Sequence, residues 1–304
     1  MLDKELSSRI SIAELFRLTS YYFEKDYGND LVAYSFESKD CDEWYKQFRN
    51  NLIDSIGKIY LPVYRMADGE YQFLWGIRFD FHSLWKNRYI LSYCYRKSLE
   101  LLKGPVIKTS WGEFYKGDEI TELRRKYFND LEELLRYGIL CAFLYETSKN
   151  TFVHYNKQFL KYFNNKELCL DINNFFPFHF PFFALSNPGW QDFIVNRKIL
   201  IVTGNLINRR KSLEVNFAEL GARKVGFYEI SATSSLKDKV DKNMIDDYQE
   251  YEIALVAAGI GALNIITQMK WFKGPVIDVG GLLLSYQTKS FICHGGAAKY
   301  PVIR

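Results

Sequence analysis

Histidine and proline are scarce in this 304-residue chain, at four and seven residues, and cysteine is present without pattern. Cys41, Cys94, Cys141, Cys169 and Cys293 are odd in number and far apart. They make no Cys-x-x-Cys pair, which argues against a zinc ribbon or a dithiol redox centre and for reduced, mostly buried thiols. No stretch reaches the roughly 18 apolar residues of a membrane-spanning helix. Charged residues from Asp3 onward leave no apolar segment for a secretion signal. A cytoplasmic protein is expected, with at most a peripheral contact to the inner face of a membrane. An excess of one charge is also lacking. The 40 basic and 36 acidic residues leave +4, short of the clustered basic stripe of a nucleic-acid binder, so no nucleic-acid partner is expected.

What is present is ordinary globular composition, 48% apolar and 25% charged, in a length that suits one α/β domain. We expect a single domain over 1–304, divisible into lobes 1–185 and 190–304. Apolar spacing predicts helices over 10–23, 44–56, 87–102 and 122–136, and a core helix over 134–145. Strands are predicted over 59–64, resuming at 71–75 after an Asp-Gly turn, and over 198–204, 224–230, 253–258 and 276–279. Pro62 suggests that the first of these lies at a sheet edge or begins a strand. The pentapeptide Lys-Gly-Pro-Val-Ile occurs at 103–107 and again at 273–277. Each copy uses glycine to stop a helix and proline to start a strand, as in the helix-to-strand units of a doubly wound, mostly parallel sheet. The segment 174–183 holds six phenylalanines and His179 around two prolines. The prolines argue against helix or central strand, leaving an extended connection whose rings plug the core, or else an exposed aromatic patch for a lipid-linked or membrane-proximal acceptor.

The chemistry is most concentrated in Arg65-Met66-Ala67-Asp68-Gly69-Glu70. Two carboxylates bent round a glycine at a strand's end can hold a hard divalent cation, which takes oxygen ligands and shares its shell with substrate phosphates. Spacing alone is weak support, since Asp3-Lys4-Glu5, Asp40-Cys41-Asp42 and Asp130-Leu131-Glu132 repeat it. The last of these, like Arg124-Arg125-Lys126, fits a solvated helix face. Near the C-terminus, a strand runs directly into Gly259-Ile260-Gly261 and a helix, so backbone amides there can receive a phosphate.

These residues resemble a family. Arg65 to Glu70 is similar to the Arg-aromatic-Gly-Asp-Gly-Glu signature of bacterial glycosyltransferases with the GT-D fold, with Met66 and Ala67 in place of the aromatic residue and glycine. The stretches 253–262 and 276–281 resemble that family's Gly-Pro-small and Asp-x-Gly-His signatures, with Ile260 in place of proline and Gly281 in place of histidine. The resemblance implies a doubly wound, Rossmann-like sheet of GT-D type and transfer of a sugar from a nucleotide-sugar donor, UDP-sugars being favoured. The acceptor would be a glycan, glycoprotein or lipid-linked molecule in cell-surface polysaccharide or glycoconjugate synthesis. Asp68 and Glu70 would hold Mn²⁺ or Mg²⁺ on the donor diphosphate. Arg65, Gly259 and Gly261 are candidate phosphate or ribose contacts, joined by Asp278 and by Gly204 and Asn205 at the end of the 198–204 strand. A catalytic base is not singled out, with Glu113, Asp278 and His294 as candidates.

A different class fits the same loop. Strand, Gly-x-Gly, helix and Asp278 resemble the layout of NAD(P)- and S-adenosylmethionine-binding enzymes, although Asn264 occupies the place of the third glycine. A sugar-nucleotide-binding module without catalysis is a further alternative, favoured by the absent histidine.

Overall fold

The computed structural model describes residues 8–12, 22–23, 32–37, 40–76, 94, 98, 106–108, 114–146, 155–165, 168, 170–186, 191–232, 235–288 and 298–299. Its centre is one parallel sheet of seven strands. In chain order they are β1 (Tyr60–Met66), β2 (Ile139–Ala142), β3 (Phe175–Pro177), β4 (Lys198–Gly204), β5 (Lys224–Ile230), β6 (Ile253–Ala257) and β7 (Gly274–Asp278). In space the order is β5-β4-β6-β7-β1-β2-β3, and every pairing within it is parallel. The α/β, Rossmann-like expectation is met, and strands from both halves of the chain share this sheet.

Two layers of helices follow from the pleat, which sends alternate side chains to opposite faces. Tyr60 and Tyr64 of β1 face α3 (Gly117–Leu134) and α7 (Ala262–Gln268), and α4 (Asn156–Asn165) stacks Tyr162 on Phe128 of α3. Tyr60 donates to the Ile266 carbonyl (2.6 Å) and Tyr64 shares a short hydrogen bond with Tyr127. Arg65 points the other way, to α5 (Phe180–Ser186), where its guanidinium lies over Phe182. On that second face α1 (Cys41–Ser55) packs Trp44 and Phe48 against Phe176 and Phe180. There too α6 (Arg210–Glu219) is tied to α8 (Leu282–Thr288) by Asn216, which donates to the Tyr286 carbonyl. Asp40, one of the repeated acidic pairs, caps α1 by accepting from the Asp42 amide (2.8 Å).

Several expected elements differ. Part of the 10–23 segment is strand: Ser8–Ser11 pairs antiparallel with Val32–Ser35, so a partner strand overrides helical spacing. The 134–145 segment is β2. All four of its residues are buried, and a strand covered on both faces has an apolar run that periodicity does not separate from a core helix. Pro62 lies in a central strand. Its ring and carbonyl face Gly138, where a Cβ would come within 2.6 Å of Pro62, and β2 begins only at Ile139 opposite Val63. The missing N–H therefore falls just before that ladder starts. The 71–75 run belongs to helix α2 (Asp68–Trp75), which stops at Gly76 with φ 76°. The prolines of 174–183 are accommodated at boundaries: Pro177 ends the edge strand β3, and Pro181 sits in the first turn of α5. The first Lys-Gly-Pro-Val-Ile copy leads into Val106–Lys108, which pairs antiparallel with Phe114–Lys116 outside the main sheet. The predicted 87–102 helix falls outside the described residues apart from 94 and 98. No helix among the described residues is long and apolar enough to cross a membrane.

Candidate functional site: two crevices at the carboxyl edge

In a parallel sheet all carboxyl ends share one edge, and a crevice opens wherever neighbouring connections leave in opposite directions. The strand order makes two such places. From β1 the chain proceeds to β2 and β3, whereas from β7 it turns the other way into α8, which packs against α6, and this separates the ends of β7 and β1. From β4 it proceeds to β5, then returns to β6 on β4's other flank, which separates β4 and β6.

The β7–β1 crevice gathers most of the predicted residues. Arg65 and Asp278 meet there, 7% and 4% exposed. The Arg65 Nε donates to the Asp278 carbonyl (2.8 Å), its Nη2 lies 3.4 Å from Oδ1, and its backbone N–H donates to Oδ2 (3.3 Å). Phe178 and Phe182 cover the guanidinium at 4.9 and 4.2 Å. Burial pushes the Asp278 carboxyl above its usual range, and the Arg65 charge offsets part of that. Gly280 closes the arrangement with φ 44°, and a Cβ there would meet the Arg65 Nη2 at 2.2 Å. Both expected ligand contacts are thus engaged with each other. Beneath them His179 is buried, and its pKa falls to about 3 through burial and the Arg65 charge. It shares a 2.6 Å hydrogen bond with the Tyr145 hydroxyl. It is a neutral packed ring.

Asp68 opens α2 and Glu70 is its third residue. Residues two apart on a helix point roughly 200° apart, so this spacing alone does not bring the carboxylates together. The Glu70 Oε2 accepts from the Ala67 N–H (2.9 Å) and caps the helix. The helix leans toward the end of β6, where a Cβ at Gly69 would touch Ile260 at 3.6 Å. Gly259 has φ 55°, a conformation that suits glycine. Gly261 has a different reason: a Cβ there would meet Ser235 at 2.3–2.6 Å, so the glycine lets two loops pack. Asn264 donates to the carbonyls of Ser235 (2.8 Å) and Asp238 (3.0 Å), binding the same loop to α7. With Asn264 so placed and Asp278 held by Arg65, the two positions a dinucleotide fingerprint would use are both structural.

The β4–β6 crevice holds a cleft lined by Thr203, Gly204, Arg209, Ile230, Ser231 and Ser235, among others. Gly204 ends β4, and Asn205 follows in a left-handed conformation, φ 58°. Arg209 stood out in the sequence only as part of a short basic run. A strand ending in glycine and followed within five residues by that run was the signal available.

Glu113 and His294 lie outside the described residues. Among the described residues no group of three or more His, Cys, Asp or Glu side chains could hold a metal ion. The Asp130–Glu132 pair is less solvated than expected: the Asp130 side chain is 16% exposed and ion-paired with Lys126. No protein-family model matches the chain, and no curated protein or solved structure matches it.

Proposed function

We propose that this chain is a metal-dependent glycosyltransferase of GT-D type, using a nucleotide-sugar donor at the β7–β1 crevice. One observation carries the proposal: the stretch 65–70 lies 183 residues before 253–262 and 276–281 (253 − 70), yet the three stretches that resemble the family's signatures lie at the ends of adjacent strands β1, β6 and β7. Oxygen is the donor that Mn²⁺ and Mg²⁺ take, and because such ions are commonly completed by substrate phosphates and water, one carboxylate, from Asp68 or Glu70, would suffice on the protein side. When bound, the cation would act as a Lewis acid on the departing diphosphate. The chain's own residues do the positioning. Arg65 and Asp278 fix the ends of β1 and β7 relative to each other, and Glu70 fixes the start of α2. Gly259 turns the backbone at the end of β6 into the short helix that follows.

Thermal-shift measurements with UDP-sugars, with and without Mn²⁺, test the proposal, because a ligand that binds only the native state raises its apparent stability. Asp68→Asn should remove the metal-dependent shift and lower turnover roughly a thousandfold, about 4 kcal/mol at 1.36 kcal/mol per factor of ten. Full activity in the presence of a chelator would refute it. A second reading, a sugar-nucleotide-binding module without turnover, is favoured by Gly281, an exposed position where the family's histidine is absent. Binding without any sugar transfer would select it.

A further inference from the structure

The basic run Arg124-Arg125-Lys126 does not behave as one solvated helix face. Arg125 is exposed, but its two neighbours reach elements that carry the family-like stretches. The Arg124 Nε donates to the Phe73 carbonyl of α2 (2.5 Å), and its guanidinium lies 6.0 Å from the centre of the Phe73 ring. The Lys126 Nζ donates to the Asn264 Oδ1 of α7 (2.7 Å) and pairs with Asp130. The next residue, Tyr127, bonds the Tyr64 hydroxyl of β1 and packs its ring against Phe73. One turn of α3 therefore holds β1, α2 and α7 together.

Those are the elements on which the candidate residues depend. The stretch 65–70 ends β1 and opens α2, and 253–262 ends β6 and opens α7. The two stretches meet where a Cβ at Gly69 would touch Ile260 at 3.6 Å. Arg124 also suits the end of α2 that it binds. A helix leaves its last four carbonyls without intrahelical partners and carries partial negative charge there, which a cation with an N–H donor offsets. Tyr155, directly before α4, donates to the Gly76 carbonyl (2.9 Å) at the same end. An isolated helix of eight residues is not stable in water, so α2 owes its place to such contacts.

We propose that Arg124, and with a smaller share Lys126, are positioning residues for the transferase site. By bracing α2 and α7 on one turn of α3, they set the spacing between Asp68-Gly69-Glu70 and the Gly259–Gly261 loop, between which a metal-bound nucleoside diphosphate is held. The role rests on the transferase reading above. Neither residue needs to touch the ligand, since a misplacement of about 1 Å by a distant substitution can cost on the order of a hundredfold.

The test is titration calorimetry of the full chain with UDP in the presence of Mn²⁺. Wild type should bind saturably, and binding should be lost in EDTA. Arg124→Gln should weaken it by roughly ten- to a hundredfold, and Arg124→Lys, which keeps a cation at the end of α2, should recover part of the loss. Lys126→Met should have a smaller effect, because its side chain is 45% exposed. Arg125→Gln should bind as wild type does. Amide hydrogen exchange separates positioning from general instability: Arg124→Gln should speed exchange in 69–76 and leave protection in β4 unchanged. Wild-type affinity in folded Arg124→Gln overturns the inference. So does an equal loss in Arg125→Gln, which would assign the effect to the charge of the run and not to its contacts. Absence of Mn²⁺-dependent UDP binding by wild type is a different failure, which refutes the transferase reading and takes the inference with it.

Discussion

The two crevices sit on one edge of one sheet, with only β6 and β7 between them, yet they use arginine in opposite ways. In the β7–β1 crevice Arg65 is enclosed by Asp278, Phe178, Phe182 and the Gly280 turn, and the charge is satisfied within the protein. In the β4–β6 crevice Arg209 is half-buried beside a small cleft and donates to the Thr203 hydroxyl, whose own proton goes to the Ala257 carbonyl. Depth makes the difference. A fully buried charge needs a complete set of partners, whereas a half-buried one keeps access to water or ligand. A switch point therefore supplies a crevice, and the side chains decide whether it is closed by an internal ion pair or left as a shallow cleft.

The sharpest way to break this contrast is to remove the cation from the closed crevice. Arg65→Met should destabilise the fold by about 3–5 kcal/mol in urea denaturation, because Asp278 would remain buried without its partner. The double variant Arg65→Met, Asp278→Asn should recover much of that. A single variant as stable as wild type would mean that the pair does not clamp the two strands.

Gly261→Val probes the wall between the crevices. Its side chain would enter space occupied by Ser235, and a loss of about 1–3 kcal/mol is expected from overpacking, whatever is bound. Unchanged stability with weakened nucleotide binding would instead assign this glycine to a ligand.

His179 tests the dryness of the closed side by pH. Its folded pKa, about 3, lies below the ordinary histidine value of 6.5, so the folded state binds fewer protons than the unfolded one. Stability from this group is complete above pH 6.5 and is lost as pH falls toward 3. At pH 5 the loss is about 2 kcal/mol, at 1.36 kcal/mol per unit. His179→Phe should lack that part of the pH dependence in denaturation measured from pH 7 to 4, and an identical profile would contradict the burial.

The smallest effect is expected at Gly281. A Cβ there meets nothing within 4 Å, so Gly281→His should change stability by no more than about 0.5 kcal/mol. In a transfer assay it shows whether the family's histidine improves turnover.

Legibility in the sequence followed the range of the interactions involved. The β4 to β7 segment was readable because β-branched runs, glycine stops and amphipathic spacing are local signals. The strand β2 was misread as helix because burial on both faces erases alternation. Pro62 was misplaced because its tolerance depends on Gly138, 76 residues away. The acidic motif was visible, but its helical setting was not, since α2 begins only after the bend at Ala67. The Arg65 charge is legible in the sequence; its pairing with Asp278, 213 residues away, is not.

The sequence by itself determined the class of fold, through the alternation of β-branched runs with amphipathic ones, and it marked the residues able to carry chemistry. Tertiary structure decided which of those residues meet, which are enclosed and which crevice stays open. The physical reason is that hydrophobic periodicity and chain-stopping residues act over one or two turns, whereas desolvation and charge pairing depend on neighbours that only strand order brings together.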